Sequence, residues 1–125
     1  MTTFVTGNLD KKVRIHSDGV RFQTKAPTDV RMQELVFGPN SRTGWHHHPG
    51  MVLVVVKTGS LTVWDSDCHS TTYGPGLANG AVFTESGDDP LEVTSKDGAT
   101  NYVTLIAPDA NPHAFRIEDA ARSCT

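Results

Sequence analysis

Gly44-Trp45-His46-His47-His48-Pro49-Gly50, running through Met51 into the apolar stretch Val52-Leu53-Val54-Val55-Val56, is the passage that decides how this chain is read. Residues two apart on an extended strand share a face. If the segment is extended, His46 and His48 project together and His47 projects away. Two imidazoles delivered to one side of a sheet, beside an all-apolar strand, form half of a metal site. The competing reading is a polar turn that exposes three histidines. A histidine run in mid-chain favours the ligand reading.

Working outward, strand signals dominate. Short β-rich runs cover residues 20–25, 30–37, 43–48, 52–57, 60–65, 71–73, 81–84, 91–95 and 101–107, with Gly, Pro, Asn and Asp between them. Lys57-Thr58-Gly59-Ser60 reads as a tight hairpin in which Gly59 supplies a positive φ. Strands at this spacing, separated by turn residues, indicate an all-β sandwich or barrel. Helix signal is confined to residues 116–122, a short terminal turn. Val52 to Val56 is apolar without alternation, so both of its faces call for cover. One face would fill the barrel, and the other would meet a second sheet or a second subunit, which points to a homodimer.

The chain has 125 residues and suits one domain, 1–125, with a core over about 20–108 and a tail over 109–125. Its formal charge of −3, with acids and bases interspersed, argues against nucleic-acid and anionic-membrane partners. The longest apolar run, residues 51–56, is far too short to span a bilayer. The first residues show no secretory pattern, so the expectation is a cytoplasmic protein. Cys68 and Cys124 lie far apart in polar surroundings. They are either two free thiols, as is usual in the cytosol, or a bridge tying the tail to a hairpin.

From about Lys25 to Pro108 these residues resemble the cupin superfamily, and in particular small single-domain bacterial cupins. The resemblance is carried by Gly44-Trp45-His46-His47-His48-Pro49-Gly50, the valine run, Gly59 and Ser60-Leu61-Thr62-Val63-Trp64-Asp65. It implies an all-β double-stranded β-helix, the cupin jelly-roll barrel, followed by a short C-terminal tail. It also implies a divalent metal (Fe, Mn, Ni or Zn) on His46 and His48, and a small organic ligand inside the barrel. Relatives of this kind carry cysteines after the hairpin and near the C-terminus, which implies a Cys68–Cys124 disulfide.

Two positions depart from the family pattern. The glutamate that follows the second histidine is replaced by Val52, and the second motif, Gly80 to Glu92, contains no histidine. Aligning from Phe83 puts Glu92 at the missing position, whereas aligning from Gly87 puts Pro90 there; Lys96 replaces a usual asparagine. The expected ligand and catalytic set is therefore His46, His48 and Glu92, with Glu85 as the fallback carboxylate. Two imidazoles and one carboxylate match non-haem Fe(II) sites and equally suit catalytic Zn. Gln33, Val52, Val54, Phe83 and Tyr102 are the expected pocket lining, with Gln33 or Glu34 facing inward by alternation. His113, His16 and His69 read as exposed polar residues, and Trp45 and Trp64 as core or interface aromatics.

The leading functional expectation is a metal-dependent dioxygenase acting on a small organic molecule. A metal-free isomerase or cyclase using the same side chains as acid and base is the second. A barrel that only binds a ligand is the third.

Overall fold

The computed structural model describes residues 1–87, 89–109 and 114–124. Thirteen strands follow in chain order: β1 (Thr2–Leu9), β2 (Val13–Ser17), β3 (Val20–Thr24), β4 (Thr28–Phe37), β5 (Ser41–Arg42), β6 (His46–His47), β7 (Met51–Gly59), β8 (Leu61–Trp64), β9 (Ser70–Tyr73), β10 (Val82–Ser86), β11 (Glu92–Ser95), β12 (Ala99–Pro108) and β13 (Ile117–Glu118). Among the described residues there is no helix. One antiparallel sheet has the order β1-β4-β12-β7-β10, and a second has the order β5-β11-β8-β9. The two pack face to face as a jelly-roll barrel.

Alternation along the strands builds the core. On β7, Val52, Val54 and Val56 are 2%, 3% and 2% exposed, whereas Leu53 and Val55 are 38% and 43% exposed. The inward valines pack with Leu61, Phe83, Val93, Val103 and Leu105. Burying one such side chain contributes about 1.5–3 kcal/mol, so a few of them outweigh any single polar contact in the barrel. Within one chain, then, the valine run is covered on one face only. At the β7–β8 hairpin Gly59 has φ +77°, and a Cβ there would lie 2.1 Å from the Gly98 carbonyl oxygen. Only glycine fits that crossing.

The ends of the chain differ from the sequence expectation. β1 adds an edge strand to the larger sheet by pairing with β4, and β2 and β3 form a separate hairpin. Residues 116–122 are not helical. Ile117 and Glu118 pair instead with His47 and His46, and the Asp119 N–H donates to the Trp45 carbonyl (3.0 Å). A single helical turn bonds too little of its own backbone to stand alone, and the open edge of β6 satisfies those groups better.

The tail is further held by the Trp45 Nε1–H bond to the Arg122 carbonyl (2.9 Å) and by a Cys68–Cys124 disulfide closing a sequence separation of 56 residues. In the chain-entropy view a loop of this size is worth about 4 kcal/mol. Reduced protein, or a Cys68→Ser/Cys124→Ser variant, is expected to unfold at a markedly lower urea midpoint than oxidised protein. Coincident midpoints would contradict a bridge that restrains the chain.

Candidate metal centre and cavity

β6 is only two residues long and is the most consequential element of the barrel. His46 bridges Leu91 in both directions, its N–H donating to the Leu91 carbonyl (2.9 Å) and its carbonyl accepting from the Leu91 N–H (2.8 Å). That pinning holds the segment extended, so alternation applies. His46 and His48 turn into the barrel, 3% and 8% exposed, with ring centroids 4.8 Å apart. His47 turns outward to the tail, where its Nδ1 meets Asp119 Oδ2 at 2.8 Å.

A backbone carbonyl can only accept a hydrogen bond, so a ring nitrogen facing one must carry the proton. His46 Nδ1 lies 2.9 Å from the Gly44 carbonyl, and His48 Nδ1 lies 2.6 Å from the Phe115 carbonyl. Both rings therefore donate through Nδ1 and turn Nε2 toward the cavity. This is how a protein orients imidazoles for a metal.

The third group is Glu85, 6% exposed on β10, with Oε2 3.0 Å from His48 Nε2. His46, His48 and Glu85 each offer a ligand atom, and these atoms all lie within 4.8 Å of one another. Glu85 is paired in register with Val52. The carboxylate missing at Val52 is thus supplied from the next strand, directly across the ladder. The donor set fits a divalent cation: two oriented nitrogen bases and one carboxylate at a single buried point.

Glu92, the carboxylate expected from the sequence, lies elsewhere. On β11 the inward side chain is Val93, which lines the cavity, so Glu92 points out of it. Its Oε1 sits 3.6 Å from Arg42 Nη1, in a separate cleft with Trp64, Arg122 and Cys124. Counting across the turn between β10 and β11 slipped the reading onto the wrong parity. Tyr102 is a second correction, for the same reason. Asn101, Val103 and Leu105 face the cavity, and Tyr102 faces outward and stacks on Phe4 at 6.1 Å.

Gln33, Val52, Val54 and Phe83 line the cavity, and Glu34 lies on the other face of β4. Trp45 is core and Trp64 flanks Glu92. His16 and His69 are exposed, and His113 lies outside the described residues. The cavity is about 240 Å³, below the roughly 300–1,000 Å³ typical of drug-sized ligand sites. Arg31, Asn101, Phe115 and Arg116 also line it, and sequence reasoning named none of them as site residues. Arg31 was recoverable in principle, since it shares strand parity with Gln33, whereas Asn101 has the opposite parity to Tyr102, the residue expected inward on β12.

Electrostatics separate the two histidines. Burial lowers the pKa of His46, Arg116 adds to that, and the Gly44 hydrogen bond only partly offsets it. Burial acts the same way on His48. There the hydrogen bond and charge of Glu85, with the Phe115 carbonyl, outweigh it and raise the pKa. Without metal, His48 therefore holds a proton more readily than His46.

In metal-free protein the His48 contribution to stability is complete below its unfolded pKa of about 6.5 and is lost as pH rises through the higher folded value. His46 acts in the opposite sense, costing stability as pH falls below about 6.5. Metal-free His48→Gln is therefore expected to lose the decline toward alkaline pH. It should also be less stable than wild type at acidic pH by on the order of 1–3 kcal/mol. Urea unfolding against pH checks this, and a His48→Gln profile parallel to wild type would contradict it.

The sequence matches no family model and none of the curated proteins. Solved structures do match. A cupin-like protein from Thermotoga maritima is 17% identical with a TM-score of 0.58, over 74% of this chain and 65% of its own. A cupin superfamily protein from Desulfitobacterium hafniense is 10% identical with a TM-score of 0.55, over 82% and 79%. An oxalate oxidase in complex with glycolate is 20% identical with a TM-score of 0.53, over 71% of this chain and 45% of its own. A DMSP lyase structure is 17% identical with a TM-score of 0.51, over 78% and 46%, so this chain spans about half the length of those two enzymes. With these likenesses beside the two-sheet barrel and its inward histidines, the fold is that of the cupin superfamily.

Proposed function

We propose that the cavity is the site of a metal-dependent enzyme acting on a small organic molecule, a non-haem dioxygenase-type oxidoreductase, with a divalent ion held by His46, His48 and Glu85. The observation that carries this reading is the convergence of three buried ligand atoms within 4.8 Å, with both imidazole Nδ1–H groups already tied to carbonyls. Two imidazoles and one carboxylate are the ligand type of non-haem Fe(II) oxygenases, and the set also accepts Mn, Ni or Zn. When bound, such an ion supplies a Lewis acid with positions open to substrate. The chain's own part is to fix the two rings, hold a carboxylate against them, and enclose the reacting centre in apolar walls. An oxalate oxidase and a DMSP lyase among its structural neighbours are consistent with an enzyme on this fold.

The second reading is a metal-free isomerase or cyclase. Two buried imidazoles with ring centroids 4.8 Å apart and pKa values shifted in opposite directions favour it. It predicts activity that survives chelation. A third, non-catalytic binding role predicts saturable binding without turnover.

Metal content of untagged protein separates these readings. Wild type is expected to retain about one equivalent per chain. His46→Ala, His48→Ala and Glu85→Gln should each lose it while keeping the fold, and Glu92→Gln should keep it. Metal retained by the His46→Ala/His48→Ala double variant, or lost in Glu92→Gln and kept in Glu85→Gln, would sink the assignment.

We also propose a homodimer. Leu53, Val55, Val82, Met32 and Val36 are 38%, 43%, 52%, 49% and 66% exposed on the outer face of the larger sheet, an apolar surface that a second copy would cover. Leu53→Glu is expected to convert a dimer into a monomer in light scattering, and a monomeric wild type would refute the proposal. We further propose a cytoplasmic location. Cytosolic thiols are held reduced, so an intact Cys68–Cys124 bridge in freshly alkylated cells would move the protein to an oxidising compartment.

A further inference from the structure

Strand register sorts the cavity wall of the larger sheet into layers. Glu85, Val52, Leu105 and Arg31 are consecutive partners across β10, β7, β12 and β4. The next layer is Phe83, Val54, Val103 and Gln33, and the third holds Val56, Asn101 and Leu35. Arg31 thus lies at the depth of the His–Glu cluster, and Asn101 lies two layers further in.

Arg31 is the charge this cavity leaves uncompensated. Its Nε–H donates to the Thr6 hydroxyl (2.9 Å), and its guanidinium lies 4.1 Å from the centre of the Phe115 ring. Among the described residues no carboxylate pairs with it, and its two Nη groups make no hydrogen bond. Arg116, the other cation on the wall, is gripped by both carboxylate oxygens of Glu118 and donates to the Thr43 carbonyl. At the deep end Asn101 is 3% exposed, and its Oδ1 has no hydrogen-bond partner among the described residues. A buried acceptor without a donor is costly in apolar surroundings, and the half-buried Arg31 fork beside the cavity is open to an anion. A ligand that supplies both partners would remove that cost and pair the guanidinium.

We propose that the cavity takes a small organic acid, its carboxylate held by the Nη groups of Arg31 and a hydroxyl at its far end donating to Asn101 Oδ1. Arginine presents parallel N–H donors that match a carboxylate bidentately. The small cavity excludes bulky acids. The proposal names the substrate class for the metal-site reading above and rests on it only for where the reaction occurs.

The test is calorimetric titration of zinc-loaded and chelator-treated protein with 4-hydroxybenzoate, 3-hydroxybenzoate and 5-hydroxypentanoate, each against its neutral primary amide. At least one acid should bind saturably, one per chain, and about tenfold or more tighter than its amide. Arg31→Gln should erase that preference and Arg31→Lys should keep part of it. Asn101→Leu should weaken the hydroxy acid toward the level of the same acid lacking the hydroxyl. Failure of all three acids to bind at millimolar concentration, amides binding as tightly as acids, or an unchanged preference in folded Arg31→Gln would overturn the proposal. The acid–amide comparison on wild type decides the matter even where a variant fails to fold. Metal retention measured on the same preparations keeps the two readings apart. Acid selectivity without retained metal would remove the metal centre and leave the Arg31 site, and retained metal without acid selectivity would do the reverse.

Discussion

Side-chain alternation on extended backbone is the constraint from which the site follows. A strand sends every second residue inward, and ladder register decides which inward residues share a depth. Val52, Val54 and Val56 give the barrel its apolar floor, and the same parity on β10 brings in Phe83 and Glu85. A carboxylate one residue off that parity would be a surface group, whatever its place in an alignment.

The two histidines and the carboxylate of the cluster survive in this interior because each is tied before any ligand arrives. His46 and His48 donate to carbonyls, and Glu85 is paired with His48. The His48 bond ends on Phe115, so the tail is part of the site. Its other attachments, through His47 to Asp119, Trp45 to Arg122 and the Cys68–Cys124 bridge, all hold the same segment against the barrel. A disulfide at the far end of the tail thereby helps hold the segment whose Phe115 carbonyl orients a histidine in the cavity.

Much of this was readable in the residues. The His46–His48 pairing followed from a period of two, the strand runs from β-branched stretches between turn residues, and the cysteine pair from a resemblance to small cupins. Glu92 was misread because a turn of uncertain length lies between Phe83 and β11, and one residue of slippage inverts a strand. Tyr102 failed on parity alone, with Asn101 and Val103 holding the inward places. β1 and β2 were illegible because their alternation is weak: β1 is exposed along most of its length and contributes backbone pairing rather than core. The tail read as helix from its composition, but the free edge of β6 offered better partners. Arg31 and Phe115 are neighbours only through tertiary contact, which a linear reading does not contain.

The central claim is that Glu85, and not Glu92, completes a metal centre with His46 and His48. Anomalous X-ray diffraction from crystals grown with zinc, collected across the metal edge, tests it most directly. We expect one strong peak per chain within bonding distance, about 2.0–2.2 Å, of the Nε2 atoms of His46 and His48 and a carboxylate oxygen of Glu85. A peak beside Glu92 and Arg42, or none in the barrel at saturating zinc, would contradict it.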